Sequence, residues 1–162
     1  MCRKKTRMAN DSELAEIHSF QFHEHATDYL AAAEIVAKDD RRLLLPAYFL
    51  VCQSIELGLK AFLRLKQVST QTLKKGVGHN LKKALEQAIA TGLAPSDPGF
   101  SAVVTELSEL YDGKQFQYFN RDTITMPGLD TCCRVTKTFL DDIRQSCDQE
   151  RITFLKTRFP PK

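Results

Sequence analysis

Two short polar signatures interrupt an otherwise apolar sequence, and both carry residue types that can do chemistry. Glu56 and Lys60 lie one helical turn apart in the apolar stretch YFLVCQSIELGLKAFLRL, residues 48–65. His79 and Asn80 follow in GHNL, residues 78–81, directly ahead of an amphipathic run. Together they supply a carboxylate, an ammonium group, a titratable imidazole and an amide, from which anion-binding and proton-transfer sites are built. These four residues are therefore candidate binding residues.

The Glu56–Lys60 pair has two interpretations that the sequence leaves open. On a helical wheel the pair belongs to a narrow polar stripe, opposite the apolar face, made of Gln53, Glu56, Lys60 and Arg64. If the stripe is exposed, the pair supports the helix by about 0.2–0.5 kcal/mol. The residues flanking the stripe are apolar, however, which indicates a helix covered on most of its circumference. In that case the pair belongs to a polar site that reaches His79.

The other histidines and the cysteines form no recognisable metal or redox motif. His18, His23 and His25 cluster, but no cysteine or acidic set at metal-ligand spacing accompanies them. The chain has five cysteines, two of them adjacent in a helical run, which favours reduced thiols. We expect no metal and no other cofactor. We expect His79 to hydrogen-bond a carbonyl or a carboxylate such as Glu56 rather than to act as a base.

Apolar residues recur at three- and four-residue steps along most of the chain, which predicts an all-α fold. Five helices are expected: the first starts near Asp11 or Ser12, the second spans about 43–66, the third is capped by Asn80 and ended by Gly92, the fourth is capped by Ser96 or Asp97, and the fifth follows Gly128. The third helix is expected to present Leu81, Ala84, Leu85, Ala88 and Ile89 as its apolar face. Residues 112–127 alternate loosely and are rich in aromatic residues, so they predict an irregular or hairpin-like segment.

These elements predict one domain over residues 1–162, an antiparallel bundle of four to five helices with a basic tail at 1–11 and a C-terminal tail at 149–162. A chain of 162 residues, 43% of them hydrophobic, can bury a sizeable core. The expected core contains Ile55, Leu59, Phe62, Leu85, Val104, Leu107 and Phe139. Further apolar surface on the second helix and at 129–139 exceeds the needs of one bundle and predicts a symmetric homodimer.

Charge and hydropathy bound the partners and the location. The formal net charge is only +3, but the basic residues are bunched at the start, near residues 74–83 and at the end. This permits a polyanionic partner, although solvated tails and faces would look the same. We recognise no apolar stretch of membrane-spanning length, and no hydrophobic segment follows the basic start MCRKKTRMAN, so a cytoplasmic protein without a secretory signal is expected. Met8 is an alternative start.

The chain resembles the HEPN domain, named for its occurrence in higher eukaryotes and prokaryotes. The resemblance covers residues 20–148 and is carried by LLLPAYFLVCQSIELGLKAFL, by GHNLKKALEQAIATGL, by the helix ending in Tyr111 and by the aromatic-rich loop with Tyr118 and Arg121. It implies a helical bundle that is commonly dimeric and often linked to nucleic acid. Many members are metal-independent RNases, some pair with a minimal nucleotidyltransferase in toxin–antitoxin operons, and others are non-catalytic binding modules.

The chain departs from the RNase members of that family. They use an arginine followed at a short interval by a histidine, and none of the four histidines here follows an arginine in that way. The resemblance therefore implies a non-catalytic dimeric module for RNA, nucleotide or a protein partner, within a toxin–antitoxin or defence system, with binding residues Glu56, Lys60, His79, Asn80, Tyr118 and Arg121. The alternative is an RNase or nucleotide-handling enzyme with an atypical site on Glu56, Lys60, His79 and Arg121.

Overall fold

Six helices and one π-helical segment make up the described part of the protein, which in this computed structural model comprises residues 16–39, 43–113 and 125–160. These ranges contain no strand, and the all-α prediction is confirmed. The elements are α1 (Ser19–Asp39), α2 (Leu44–Leu65), the single turn α3 (Thr70–Thr72), the π-helical segment (Leu73–Val77), α4 (Leu81–Ala90), α5 (Phe100–Asp112) and α6 (Leu129–Arg158).

Helix α2 is the central element, because α1, α4, α5 and α6 all pack against it. Ser54 in its middle donates a hydrogen bond of 2.7 Å to the carbonyl of Ala26 on α1. On another side, Gly58 lets α6 approach closely: a Cβ there would lie 2.8 Å from side-chain carbons of both Phe139 and Leu140. All seven residues expected in the core are buried. The apolar faces read from the sequence therefore do meet in one core.

The same helix has the length and composition of a membrane span, contrary to the expectation that no such stretch exists. It has 22 residues, an 18-residue stretch of it has a mean hydropathy of 1.2, and 56% of that stretch is buried inside the protein. A core helix that is surrounded by other helices can have the same length and hydropathy as a membrane span. Length and hydropathy therefore do not distinguish the two situations here.

Helix α1 begins at Ser19, so the expectation of a start near residue 12 is wrong for the described residues 16–18, which are not helical. The physical reason is a tertiary contact. The backbone N–H of Ser19 donates to Glu150 Oε2 over 3.0 Å, and its hydroxyl also bonds that oxygen. A carboxylate at the N-terminus of a helix satisfies amides that have no intrahelical partner.

Helix α6 continues to Arg158, so most of the predicted C-terminal tail is helical. Its last turns pack on the start of α1: Phe154 contacts the rings of His18 and Phe20, with ring centroids 4.6 and 5.7 Å away. This contact and the hydrogen bond from Ser19 to Glu150 pack the last turns of α6 against the start of α1. The outward side of the same turns carries the exposed Ile152, and Phe159 just beyond them is also exposed.

The predicted cap of α4 is confirmed, and that of α5 is wrong. Asn80 Oδ1 accepts the backbone N–H of Lys83 over 2.8 Å, as a helix cap should. Helix α5 instead starts at Phe100 after Gly99, without a side-chain cap. Both expected capping residues are bound elsewhere: Asp97 Oδ1 accepts the N–H of Gly99 and its other oxygen pairs with Arg134, while Ser96 bonds Asp142.

Two surface expectations also change. Ile89, assigned to the apolar face of α4, is 49% exposed, whereas the other four residues of that face are buried. The homodimer prediction relied on apolar surface of the second helix and of residues 129–139. The latter residues are largely used within the chain, since Cys132, Val135 and Phe139 are fully buried in its own core. This stretch therefore offers little apolar surface to a second copy.

The four described cysteines, Cys52, Cys132, Cys133 and Cys147, are free and buried. Burial raises the pKa of the Cys132 thiol to about 12 and that of the Cys133 thiol to about 11. Neutral thiols at such positions behave as small apolar groups and are poor nucleophiles.

Candidate functional site

Glu56 is a buried carboxylate that collects three hydrogen-bond donors. Its side chain is only 2% exposed. Oε1 accepts from Lys60 Nζ over 2.6 Å and lies 3.0 Å from His79 Nδ1, while Oε2 accepts from the hydroxyl of Tyr111 over 2.8 Å. A buried charge is tolerated only when it is paired and hydrogen-bonded in this way. The interpretation of Glu56 and Lys60 as an exposed helix pair is therefore wrong.

Tyr111 joins α5 to this carboxylate. Its hydroxyl donates to Glu56 and accepts a short hydrogen bond from the side-chain amide of Gln53. Burial, assisted by the negative charge of Glu56, raises the pKa of Tyr111 well above its usual range. Tyr111 therefore remains a protonated donor at neutral pH, and Glu56 keeps this partner.

The π-helical segment carries the chain from α3 to His79. The N–H of Gly78 donates to the carbonyl of Leu73 over 2.8 Å, five residues back, which closes the wide turn. Gly78 then adopts φ +57° and ψ −121°, a conformation that a residue with a Cβ rarely takes. This reversal places His79 beside Glu56, and the predicted hydrogen bond between them is confirmed. The His79 side chain remains 84% exposed on its other side.

Helix α4 begins at Leu81, two residues after His79, and is held by two side chains. Asn80 caps it, as described above, and Asp112 at the end of α5 accepts the N–H of Leu81 over 3.1 Å. Partial burial raises the pKa of the Asp112 carboxyl, while the amides of Leu81 and Lys82 act in the opposite direction. Asn80 thus has a structural role next to the site, in the cap of α4.

A cavity of about 500 Å3, which we call the Lys60–His79 groove, opens beside these residues. Its apolar walls are Ile17, Phe22 and Leu73, and its polar lining is Lys60, Thr70, Lys74 and His79, with Gly78 between them. With Nδ1 of His79 directed at Glu56, Nε2 is the ring nitrogen left for a ligand. The lysines at positions 75, 82 and 83, which are close to the groove residues in sequence, are exposed.

One wall of the groove is tied to the end of α2. Arg64, the last residue of the polar stripe, donates from Nε to the carbonyl of Ile17 over 2.7 Å and pairs with Glu16 Oε2 at 3.0 Å. Thr70 binds the same carboxylate through its N–H and its hydroxyl. These bonds hold residues 16 and 17, which precede α1, against the start of α3 at Thr70.

The structure brings together Glu56, Lys60 and His79 with Asn80 adjacent, whereas Tyr118 and Arg121 lie outside the described residues. So do residues 114–124, which make up most of the irregular or hairpin-like segment predicted at 112–127. Among the early histidines, His18 lies 3.3 Å from Glu150, and His23 Nε2 lies 2.9 Å from the carbonyl of Leu140. In the described ranges no group of three or more histidine, cysteine and acidic residues is arranged to hold a metal ion.

Sequence reasoning did not assign Tyr111, Asp112, Glu16 and Thr70 to this region. For Tyr111 a signal existed, because Gln53 on the polar stripe needs a partner if α2 is buried. For Glu16 and Thr70 there was no local signal. Their pairing depends on residues more than fifty positions apart meeting in the folded chain.

No protein-family model, no curated protein and no solved structure matches the chain.

Proposed function

We propose that the protein is a HEPN-like module that binds a nucleoside phosphate, as RNA or as free nucleotide, in the Lys60–His79 groove. The observation that carries the proposal is the lining of the groove, which combines the aromatic ring of Phe22 and the side chains of Ile17 and Leu73 with the cations Lys60 and Lys74. Apolar and aromatic surface suits a base, and lysines suit a phosphate.

The polar core of the site supports binding rather than proton transfer by Glu56. Its carboxylate already accepts from Lys60, His79 and Tyr111 and is shielded from solvent. Such a carboxylate positions its donors. We propose that Glu56 holds Lys60 and His79 at the groove, where His79 Nε2 and the Lys60 ammonium meet the ligand.

A homodimer and a role beside a nucleotidyltransferase in a toxin–antitoxin or defence system belong to the same proposal, on the strength of the resemblance. The expected cytoplasmic location belongs to it as well. Residues 129–139 give dimerisation less support than expected, but other apolar surface is present. Exposed apolar side chains occur on the last turns of α6, at Ile152 and Leu155, and just beyond them at Phe159.

Replacing Lys74 by glutamine tests the binding site. If Lys74 contacts a phosphate, the variant should lose about 1 kcal/mol of binding free energy to a single-stranded RNA, which is about fivefold in affinity. The slope of log affinity against log salt should also fall by about 1. Fluorescence anisotropy with a labelled oligouridylate measures both.

The control is Lys156→Gln, which removes the same charge from an exposed position on α6. It should leave the affinity within a factor of about two. Equal losses in the two variants would mean that RNA responds only to net charge, and the groove would not be the site.

The alternative, an RNase with an atypical site, has one observation in its favour. A carboxylate that binds Nδ1 of a histidine leaves Nε2 as a proton acceptor, and Lys60 and Lys74 lie in the same groove. His79 Nε2 would take the proton of a ribose 2′-hydroxyl. The oxygen would attack the adjacent phosphorus, and the departing 5′ oxygen would take a proton from water, leaving a 2′,3′-cyclic phosphate. The hydroxide formed from that water would take the proton from His79 Nε2 and so restore the neutral imidazole.

Incubating purified protein with RNA separates the two functions. The enzyme hypothesis expects cleavage that falls about 100-fold or more in His79→Ala. The binding module expects intact RNA with the wild-type protein and only weaker binding with the variant. His25→Ala, at another exposed histidine, is the control and should change neither result.

A further inference from the structure

Residues 16–18, which we call the strap, close one side of the Lys60–His79 groove without belonging to a helix. Ile17 contributes an apolar wall of the groove, yet its residue is 36% exposed, so it is not packed like the core. Its backbone N–H donates to Thr70 Oγ1 over 3.0 Å. Polar contacts rather than apolar burial therefore hold this wall in place.

Two residues clip the strap down. Arg64 reaches the Ile17 carbonyl at 2.7 Å and Glu16 Oε2 at 3.0 Å, and a third bond anchors its guanidinium to the carbonyl of Val68. Thr70 donates to Glu16 Oε2 from its N–H at 3.2 Å and from its hydroxyl at 3.0 Å. The N–H of Thr70, more than any other group, holds the pKa of Glu16 below its usual range.

The other end of the strap is fixed independently. His18 Nδ1 lies 3.3 Å from Glu150 Oε1, and the N–H of Ser19 donates to the other oxygen of that carboxylate. The ring of His18 also packs on Phe154. The strap is thus anchored to α6 at residue 18, while the contacts of residues 16 and 17 within the described part of the chain are those of the clip.

We propose that the strap is a gate: residues 16 and 17 leave Thr70 and Arg64 to admit a ligand to the groove, and they close again over it. The hinge lies at the link between Ile17 and His18, because residues 16 and 17 belong to the clip and His18 to the anchor on Glu150. Segments held by partly exposed polar contacts open at lower free energy than a packed core does. The inference rests on the proposed function, because it takes the groove as the ligand site.

Hydrogen exchange tests the opening without any ligand. The Ile17 amide should exchange much faster than amides of the α2 core such as that of Leu59, because local opening breaks its hydrogen bond to Thr70 Oγ1. Thr70→Val removes the acceptor and should accelerate Ile17 exchange several-fold, while exchange in α2 stays unchanged. Thr72→Val, on the same turn but bonded to Ser69, is the control and should have no effect on Ile17. Exchange of Ile17 at the rate of the α2 core would overturn the gate.

RNA-binding kinetics test its effect on the groove. Arg64→Lys keeps the charge but loses the planar fork that serves three acceptors. With labelled oligouridylate it should raise both the association and the dissociation rate several-fold. Arg134→Lys, the same change at the ion pair with Asp97, should alter neither. A rise in dissociation alone would show a static wall and overturn the gate, whereas a wild-type protein that binds neither the oligouridylate nor free uridine monophosphate would overturn the proposed function instead.

Discussion

Replacing Lys60 by methionine is expected to lower the free energy of unfolding by about 3 kcal/mol, because it leaves a buried carboxylate with one donor fewer. Lys60 Nζ lies 2.6 Å from Glu56 Oε1, and Glu56 is almost completely buried. His79 and Tyr111 still bind the carboxylate, which places the loss at the lower end for a broken buried pair. Chemical denaturation of both proteins measures the difference.

Lys156→Met provides the matched control on an exposed helical face and should change stability by less than about 0.5 kcal/mol. A loss that small in Lys60→Met would mean that the pair is only a solvated helix contact.

A double-mutant cycle with Glu56→Gln and His79→Ala tests whether the two polar signatures are energetically coupled. We expect a coupling of about 1 kcal/mol, since the two side chains touch. A coupling of zero would separate the two polar signatures.

Replacing Phe139 by alanine should cost about 3–5 kcal/mol, a large share of the stability of an ordinary domain. Its side chain is fully buried, and its ring lies 4.4 Å from that of Phe100, centroid to centroid. It also fills the space that Gly58 leaves on α2. The neighbouring backbones are held by α2 and α6, so the cavity can close only in part. Thermal or chemical unfolding measures the loss.

Phe159→Ala is the control for this substitution, because Phe159 follows α6 and is 69% exposed. It should shift the free energy of unfolding by less than about 0.5 kcal/mol. Similar losses in the two variants would show that Phe139 is not part of a packed core.

Most of the fold could be predicted because periodicity is a local property of the chain. Helix α2 was expected at about 43–66 and occupies Leu44–Leu65, and the expected core residues are all buried. The apolar spacing alone decides which face of each helix turns inward. The cap by Asn80 was predictable for the same reason, since a capping residue acts on amides only a few positions away.

The boundaries that sequence reasoning missed depend on distant partners. The start of α1 at Ser19 and the helical end of α6 arise from one contact region, in which Glu150 and Phe154 meet residues 18–20. Asp97 does not cap α5 because Gly99 and Arg134 occupy its oxygens. None of these pairings has a signature in the local sequence.

The sequence by itself determined an all-α bundle, the apolar faces that make its core, and the two polar signatures that contain Glu56 and His79. It also allowed their contact to be anticipated, because a buried helix leaves its polar residues in need of partners. Only the tertiary structure decided that Glu56 is buried, that Tyr111 is its third donor, and that Arg64 and Thr70 clip the strap beside the groove. The physical reason is range: helix periodicity and capping act between near neighbours in the chain, whereas burial and the pairing of buried charges depend on which elements pack together.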